Sequence, residues 1–259
     1  TGTLNIMADY PSPANFSVLD FTNQTTGGVI DVQGTQGFNF RDDTLTVASM
    51  SLTEYTGAGY ARMFNCNITG DLTISSDTSY MGGYYTELRD NTITGNTVAT
   101  NNSVNEFRSD YGGGTIANVF NGNTIFNADG TGTMRISGWY GSTFNGDLSV
   151  NRSVPGQTRM FQEGGTVNGD FSFTNMTSGD VYIGKTTLPT LITGTVNIMV
   201  NDTLPARFVM HNVENQTNGG AINVINSRGA EILFDTLKLT SFTLDGYEGT
   251  AYTNLKDNR

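Results

Sequence analysis

Apolar residues recur along this chain in a fixed frame around a glycine. Ile68, Ile93, Phe120, Phe144, Val167 and Ile192 stand two residues before Gly70, Gly95, Gly122, Gly146, Gly169 and Gly194. Two residues after the glycine come Leu72, Thr97, Thr124, Leu148, Phe171 and Val196, and four after it Ile74, Ala99, Phe126, Val150, Phe173 and Ile198. Asp, Asn, Thr and Ser fill the positions between. Alternation with period two puts the first set on one face of a strand and the polar set on the other. A second alternating run follows in most repeats: YYTELR, NEFRS, TMRIS, TRMFQ, DVYIG, ARFVM and EILFD. Gly/Asn/Ser/Asp turns such as SSDTS and TNMTSGD separate the two.

The glycines step by 25, 27, 24, 23 and 25 residues. A period in the twenties means one supersecondary unit stacked many times. Degenerate copies extend the series to Asp43 (RDDTLTV) and Ser17 (NFSVLDF) on one side, and to Gly220 (NGGAINV) on the other. Two or three short strands with their turns fit one rung of a right-handed parallel β-helix. The expected architecture is an all-β solenoid with a ~25-residue period and about 9–10 rungs, on the order of 45 Å long at the stacking distance of strands. The competing reading takes each Asn-Gly as a hairpin turn. It requires roughly twenty antiparallel strands, which an open sheet seldom holds without curling or closing. The constancy of the apolar frame favours the solenoid. Residues 1–259 read as a single domain, with 1–16 and 239–259 as caps or truncated rungs.

Composition narrows the picture. Hydrophobic residues make up 36% and charged residues 14%, with 32 glycines, and no long stretch has a helical period. Thr suits strands, and Asn and Gly suit tight turns. A net charge of −11 argues against nucleic acid as a partner, since phosphates demand a basic face. Cys66 is the only cysteine, so no disulfide forms within the chain and a cysteine-based metal site is not expected. No apolar run reaches the length of a spanning helix, so membrane insertion is not expected. The start at Thr1, without a signal-peptide pattern, suggests a mature form or a segment of a longer chain.

The runs VFNGNTIFNADGTGTMRISGWYGSTFNGDLSVNRS (119–153) and VNGDFSFTNMTSGDVYIG (167–184) carry a resemblance. They are similar to the FNG-x-[VTL]-x-[FVI]-x-N repeats of very large secreted surface proteins of Bacteroidota, especially flavobacteria. Those proteins look like adhesins exported by the type IX secretion system, some associated with gliding motility. The resemblance is sharpest over 118–184 and implies an extracellular, cell-surface location, cell adhesion, and further repeats of a longer chain as partners. Three Asp-Thr-Leu triplets, Asp43–Leu45, Asp202–Leu204 and Asp235–Leu237, also resemble the O-glycosylation acceptor pattern of that phylum.

Candidate chemistry is sparse. His211 is the only histidine, and neither a G-x-S-x-G elbow nor a phosphate-cradling loop is present. Arg62, Arg89, Arg108, Arg135, Arg159 and Arg207 sit in or beside the second strand of successive repeats, and Lys185 fills the rung between the last two. Their spacing is irregular, which leaves alignment on one face open. Arginine forks match anionic groups, so such a strip would track a sulfated or uronate polysaccharide. The alternative is simple solvation beside Glu87, Asp90, Glu106 and Asp110. Exposed aromatic rings stack on sugars; Trp139 and Tyr140 sit in a Gly-flanked turn, and Tyr80, Tyr84 and Tyr85 form a second cluster. The carbohydrate-binding candidates are Arg89, Arg108, Arg135, Arg159, Trp139 and Tyr140.

Asp147 and Asp170 follow the repeat glycine in neighbouring rungs, about 5 Å apart by strand spacing. Two stacked carboxylates fit a solvated face, a calcium site that neutralises their repulsion, or an acid/base pair. Asn127 and Asp129 offer alternating oxygens of a short loop, the alternative being a plain turn. Calcium is the one candidate cofactor. The expected function is a non-enzymatic structural or adhesive segment that contacts a surface polysaccharide or glycan. The rivals are a polysaccharide lyase or glycosidase on the same fold and a phage tailspike-like receptor binder.

Overall fold

A computed structural model describes residues 3–9, 14–56, 60–78, 85–110, 117–139, 141–185, 187–201, 206–246, 254–256 and 259. Among them every regular element is a strand, and no helix is long and apolar enough to cross a membrane. The chain winds as a β-solenoid of about nine turns. One coil shows the plan. Asn67–Ile68 lies in a third sheet, Asp71–Ser76 in a first, Thr86–Arg89 in a second, and Thr92–Ile93 returns to the third. Among the described residues the first and second sheets hold eleven strands each and the third holds eight, all paired in parallel with the neighbouring coil.

The antiparallel alternative fails at the Asn-Gly and Thr-Gly steps. These are corners that carry the chain from the third sheet into the first, and they stack on one another. A Cβ added to Gly95 would lie 2.4 Å from the Gly70 carbonyl carbon, and one on Gly122 would lie 2.5 Å from the Gly95 oxygen. Strand spacing leaves no room there for a side chain, so the glycine recurs.

The frame holds where the repeat is clear: Leu72, Thr97, Thr124, Leu148, Phe171 and Val196 pair in one register and are all buried. It slips in the degenerate copies. Asn15–Leu19, around Ser17, belongs to the second sheet and pairs with Gly37–Arg41. Thr44–Leu45, after Asp43, is a third-sheet strand, and the first-sheet strand starts at Val47. Gly220 pairs with Val196, so that copy lies two residues out of the expected frame. An even shift preserves alternation, and every side of the coil alternates, so pattern alone cannot name the side. At the ends, Ile6–Asp9 and Ser241–Asp245 continue the first sheet and Asn254–Lys256 the second.

Inside, Phe120 and Phe144 stack face to face at 5.0 Å between centroids, and Phe126 meets both rings edge-on. Such pairs contribute about 0.5–1.5 kcal/mol each beyond the area they bury. The corner from second to third sheet is a single residue in the left-handed region. Asp42, Asn65, Asp90, Asp110, Ser137, Phe161, Asn212 and Phe234 fill it with φ between 52° and 63°. Asn and Asp tolerate that conformation best. Behind this corner runs a buried polar column. Asn91 accepts the Cys66 N–H at 2.9 Å and Asn118 accepts the Asn91 N–H at 2.8 Å. Asp43 and Asp235 do the same for Phe21 (2.8 Å) and Val213 (2.6 Å). The triplets at 43–45 and 235–237 are therefore corner sequences whose Asp is buried, while Asp202–Leu204 lies outside the described residues.

Candidate carbohydrate-binding face

In the second sheet the strands Phe107–Ser109, Met134–Ile136 and Thr158–Met160 bury their outer residues and turn the middle one outward. That middle residue is Arg108, Arg135 or Arg159. The three pair Cα to Cα in successive coils, which puts them in one row at roughly 4.8 Å steps. Arg62 and Glu87 precede them in the row, and Tyr182 follows. The irregular sequence spacing, which left alignment open, is absorbed by turns of different length. Arg89 stands two residues beyond the row, with its guanidinium 4.0 Å from the centre of the Phe64 ring. Arg207 hydrogen-bonds Glu231, which His211 Nε2 also contacts at 2.8 Å.

The row has distinct partners along its length. Arg62 packs 3.6 Å from the Tyr60 ring centre and donates to the Tyr85 hydroxyl at 3.1 Å. Glu87, 3.8 Å from Arg62, is only 3% exposed, and burial raises its pKa against the pull of the surrounding arginines. Glu106 accepts from Arg108 Nε at 2.6 Å and also from Arg135 Nε, so one carboxylate bridges two guanidinium groups. Arg108 lies 3.7 Å from the Tyr85 ring centre. Arg159 donates to the neutral Gln157 Oε1 at 2.7 Å and faces the Tyr182 ring. Part-exposed ion pairs contribute about 0–1 kcal/mol each, so this row adds little to stability.

Beside Arg135 and Arg159 lies a pocket of about 160 Å³, lined also by Trp139, Gln162, Glu163 and Lys185. Pockets that enclose a drug-sized ligand span roughly 300–1,000 Å³, so this one suits part of a longer chain. Trp139 is 48% exposed, and its backbone N–H donates to the Asp110 carbonyl at 2.6 Å. The structure thus brings Arg108, Arg135, Arg159 and Trp139 to one side and sets Arg89 apart. Tyr140, Tyr80 and Tyr84 lie outside the described residues. Gln157, Gln162 and Glu163 were missed by sequence reasoning. Aligning the second strands with each other, and not the glycines, is the signal that would have found Gln157.

Of the metal candidates, Asp147 and Asp170 lie exposed in neighbouring coils, and only Asn127 departs from its expected place. Asp147 Oδ1 accepts the Asp170 N–H at 2.9 Å, and Asp170 Oδ1 accepts the Thr195 N–H at 2.7 Å. Asp71, Asn96 and Asn123 make the same bond to the next coil, so the pair belongs to an exposed ladder along that corner. Asn127 is in the strand Thr124–Ala128, not in a loop, and its amide bonds Thr100 and Asn151 across the first sheet. Asp129 accepts from the Ser153 hydroxyl at 2.6 Å. Among the described residues no three His, Cys, Asp or Glu groups gather as a metal site.

Arg152 escaped the sequence reading altogether. It is 2% exposed, and no carboxylate pairs with it among the described residues. Its Nε donates to Thr158 Oγ1 at 2.8 Å, Nη2 to the Gly132 and Gln157 carbonyls at 2.9 Å, and Nη1 to those of Gly130 and Val154. Burial lowers its pKa to about 10. The group closes the corner between the first and second sheets. No protein-family model, curated protein or solved structure matches the chain.

Proposed function

We propose that this solenoid is a non-catalytic, extracellular structural and adhesive segment of a bacterial surface protein, contacting carbohydrate through the outer face of its second sheet. The observation that carries the reading is the in-register row Arg108, Arg135, Arg159 beside the Trp139 pocket. Guanidinium forks and an exposed indole are the two contacts that acidic sugars favour. The acidic groups nearby serve as ion-pair partners, Glu106 to two arginines and Glu163 to Lys185, which suits binding better than acid/base chemistry. The likeness of residues 118–184 to secreted Bacteroidota repeats supports a surface location. Weak contacts repeated on a rigid rod add through effective concentration.

The test is incubation of the purified chain with neutral and anionic polysaccharides, with and without calcium, reading polymer length and retention together. The reading expects intact polymer and measurable retention. Shortened polymer would replace it with an enzyme, and retention lost to a chelator would make calcium part of the contact.

A further inference from the structure

Two columns of outward residues run side by side on the second sheet. One is Arg108, Arg135, Arg159; the other, two residues earlier and just ahead of each strand, is Glu106, Thr133, Gln157. In the first of these coils the chain supplies its own carboxylate, and the guanidinium groups of Arg108 and Arg135 both close on Glu106. In the next two coils the equivalent position is neutral. Arg159 meets an amide oxygen and a ring, and among the described residues no carboxylate pairs with it. Lys185, 48% exposed, lines the same pocket from the following coil. The cationic row therefore spans three coils, with Lys185, paired to Glu163, beside it in the fourth, while the internal carboxylate opposite Arg159 is missing.

We propose that an acidic polysaccharide built of uronate residues lies along the solenoid axis on this line, its inward carboxylates on the guanidinium groups, with a sugar ring against Trp139. The proposal rests on the adhesive reading above and names its ligand. Stacked strands advance ~4.8 Å per coil, about the length of one pyranose in an extended chain, so a polymer laid along the axis passes about one sugar per coil and the carboxylates on its inward side meet the row. A planar carboxylate matches the guanidinium fork, as Glu106 already demonstrates on this face. The chain as a whole carries −11, but at physiological ionic strength charges interact over only ~8 Å. The local row then governs the contact. Each contact is weak in water, so a polymer is retained and a monosaccharide is not.

The experiment measures affinity of the intact chain for polygalacturonate, for the same polymer with its carboxyls reduced to alcohols, and for a sulfated polysaccharide. Arg135→Gln/Arg159→Gln and Glu106→Gln are compared with the parent, with circular dichroism confirming the fold. Polygalacturonate is expected to bind best, and reduction to abolish binding. The double arginine variant should bind roughly tenfold or more weakly, about 1.4 kcal/mol per tenfold. Glu106→Gln should bind several-fold more tightly, because it frees two guanidinium groups from their internal counter-ion. Equal binding of the reduced polymer, or indifference to both variants, overturns the uronate line and leaves the adhesive reading intact. Tighter binding of the sulfated polymer overturns the carboxylate assignment. Failure to retain any polymer overturns both.

Discussion

The outer faces of the first and second sheets are built by the same coils at the same spacing, yet they carry opposite chemistry. On the first sheet, two outward columns run in register from Thr73 and Ser75 to Ala221 and Asn223. Every residue in them is Ser, Thr, Asn or a small or apolar side chain; none is charged. Their amides bond along the column, as Asn151 does to Asn127 at 3.1 Å. On the second sheet, the matching columns hold arginines, glutamates and tyrosines that bond across coils. The interior treats both sides alike, because only the inward residues must pack. Outward positions are under no such demand, so a solenoid can keep one face as a solvated wall and use another for recognition.

The comparison can be broken at the corner that joins the two faces. Replacing Arg152 with Ala would leave buried carbonyls of the turn unpaired and a void in the corner, a loss of about 3 kcal/mol or more. Urea unfolding would register it as a lower midpoint. If the midpoint stays put, the corner does not depend on the guanidinium.

A pH-dependent effect of comparable size comes from the buried column behind the corner where the charged face meets the third sheet. Asp235 is fully buried, accepts the Val213 and Leu233 N–H groups, and burial pushes its pKa up to about 8. Asp110, which receives the Asn118 N–H and the Ser142 hydroxyl, is raised to about 6. An acid with a raised pKa holds its proton more tightly when folded. Its contribution to stability is therefore present at low pH and is lost as pH rises from near 4 toward the folded value. Asp235→Asn removes that titration. The stability of the variant relative to the parent should rise by a few kcal/mol between pH 4 and 8 and then level off. A difference independent of pH would mean that Asp235 titrates normally.

The smallest expected change in stability sharpens the contrast between faces. Ser149→Arg with Ser172→Arg puts two guanidinium groups in adjacent coils of the neutral wall. Stability should move by less than about 0.5 kcal/mol, as for most surface changes. Some retention of a polyuronate should appear on a chain whose natural row is disabled by Arg135→Gln/Arg159→Gln. Absence of any gain would mean that row spacing alone is insufficient and that the Trp139 pocket is required.

Much of this was legible in residues 68–198, where the apolar frame around each glycine marked strands, faces and period. It failed at Ser17, Asp43 and Gly220, where alternation survives but the corner glycine and its spacing do not. The left-handed corner was invisible because one residue of mixed type, from Asp90 to Phe161, leaves no periodic trace. Arg152 was invisible for a related reason. Its position in the strand alternation reads as an ordinary inward residue, and only the carbonyls of adjacent turns explain a cation there.

Local chemistry was enough to decide which side chains point inward and how often the unit repeats, because both follow from strand alternation and from turns that only glycine fits. Which outward residues become neighbours was settled across coils. The hydrogen-bond ladder fixes register, and turns of unequal length take up steps of 27 and 24 residues between Arg108, Arg135 and Arg159. That is why an uneven scatter of arginines in the chain becomes a straight row on the molecule.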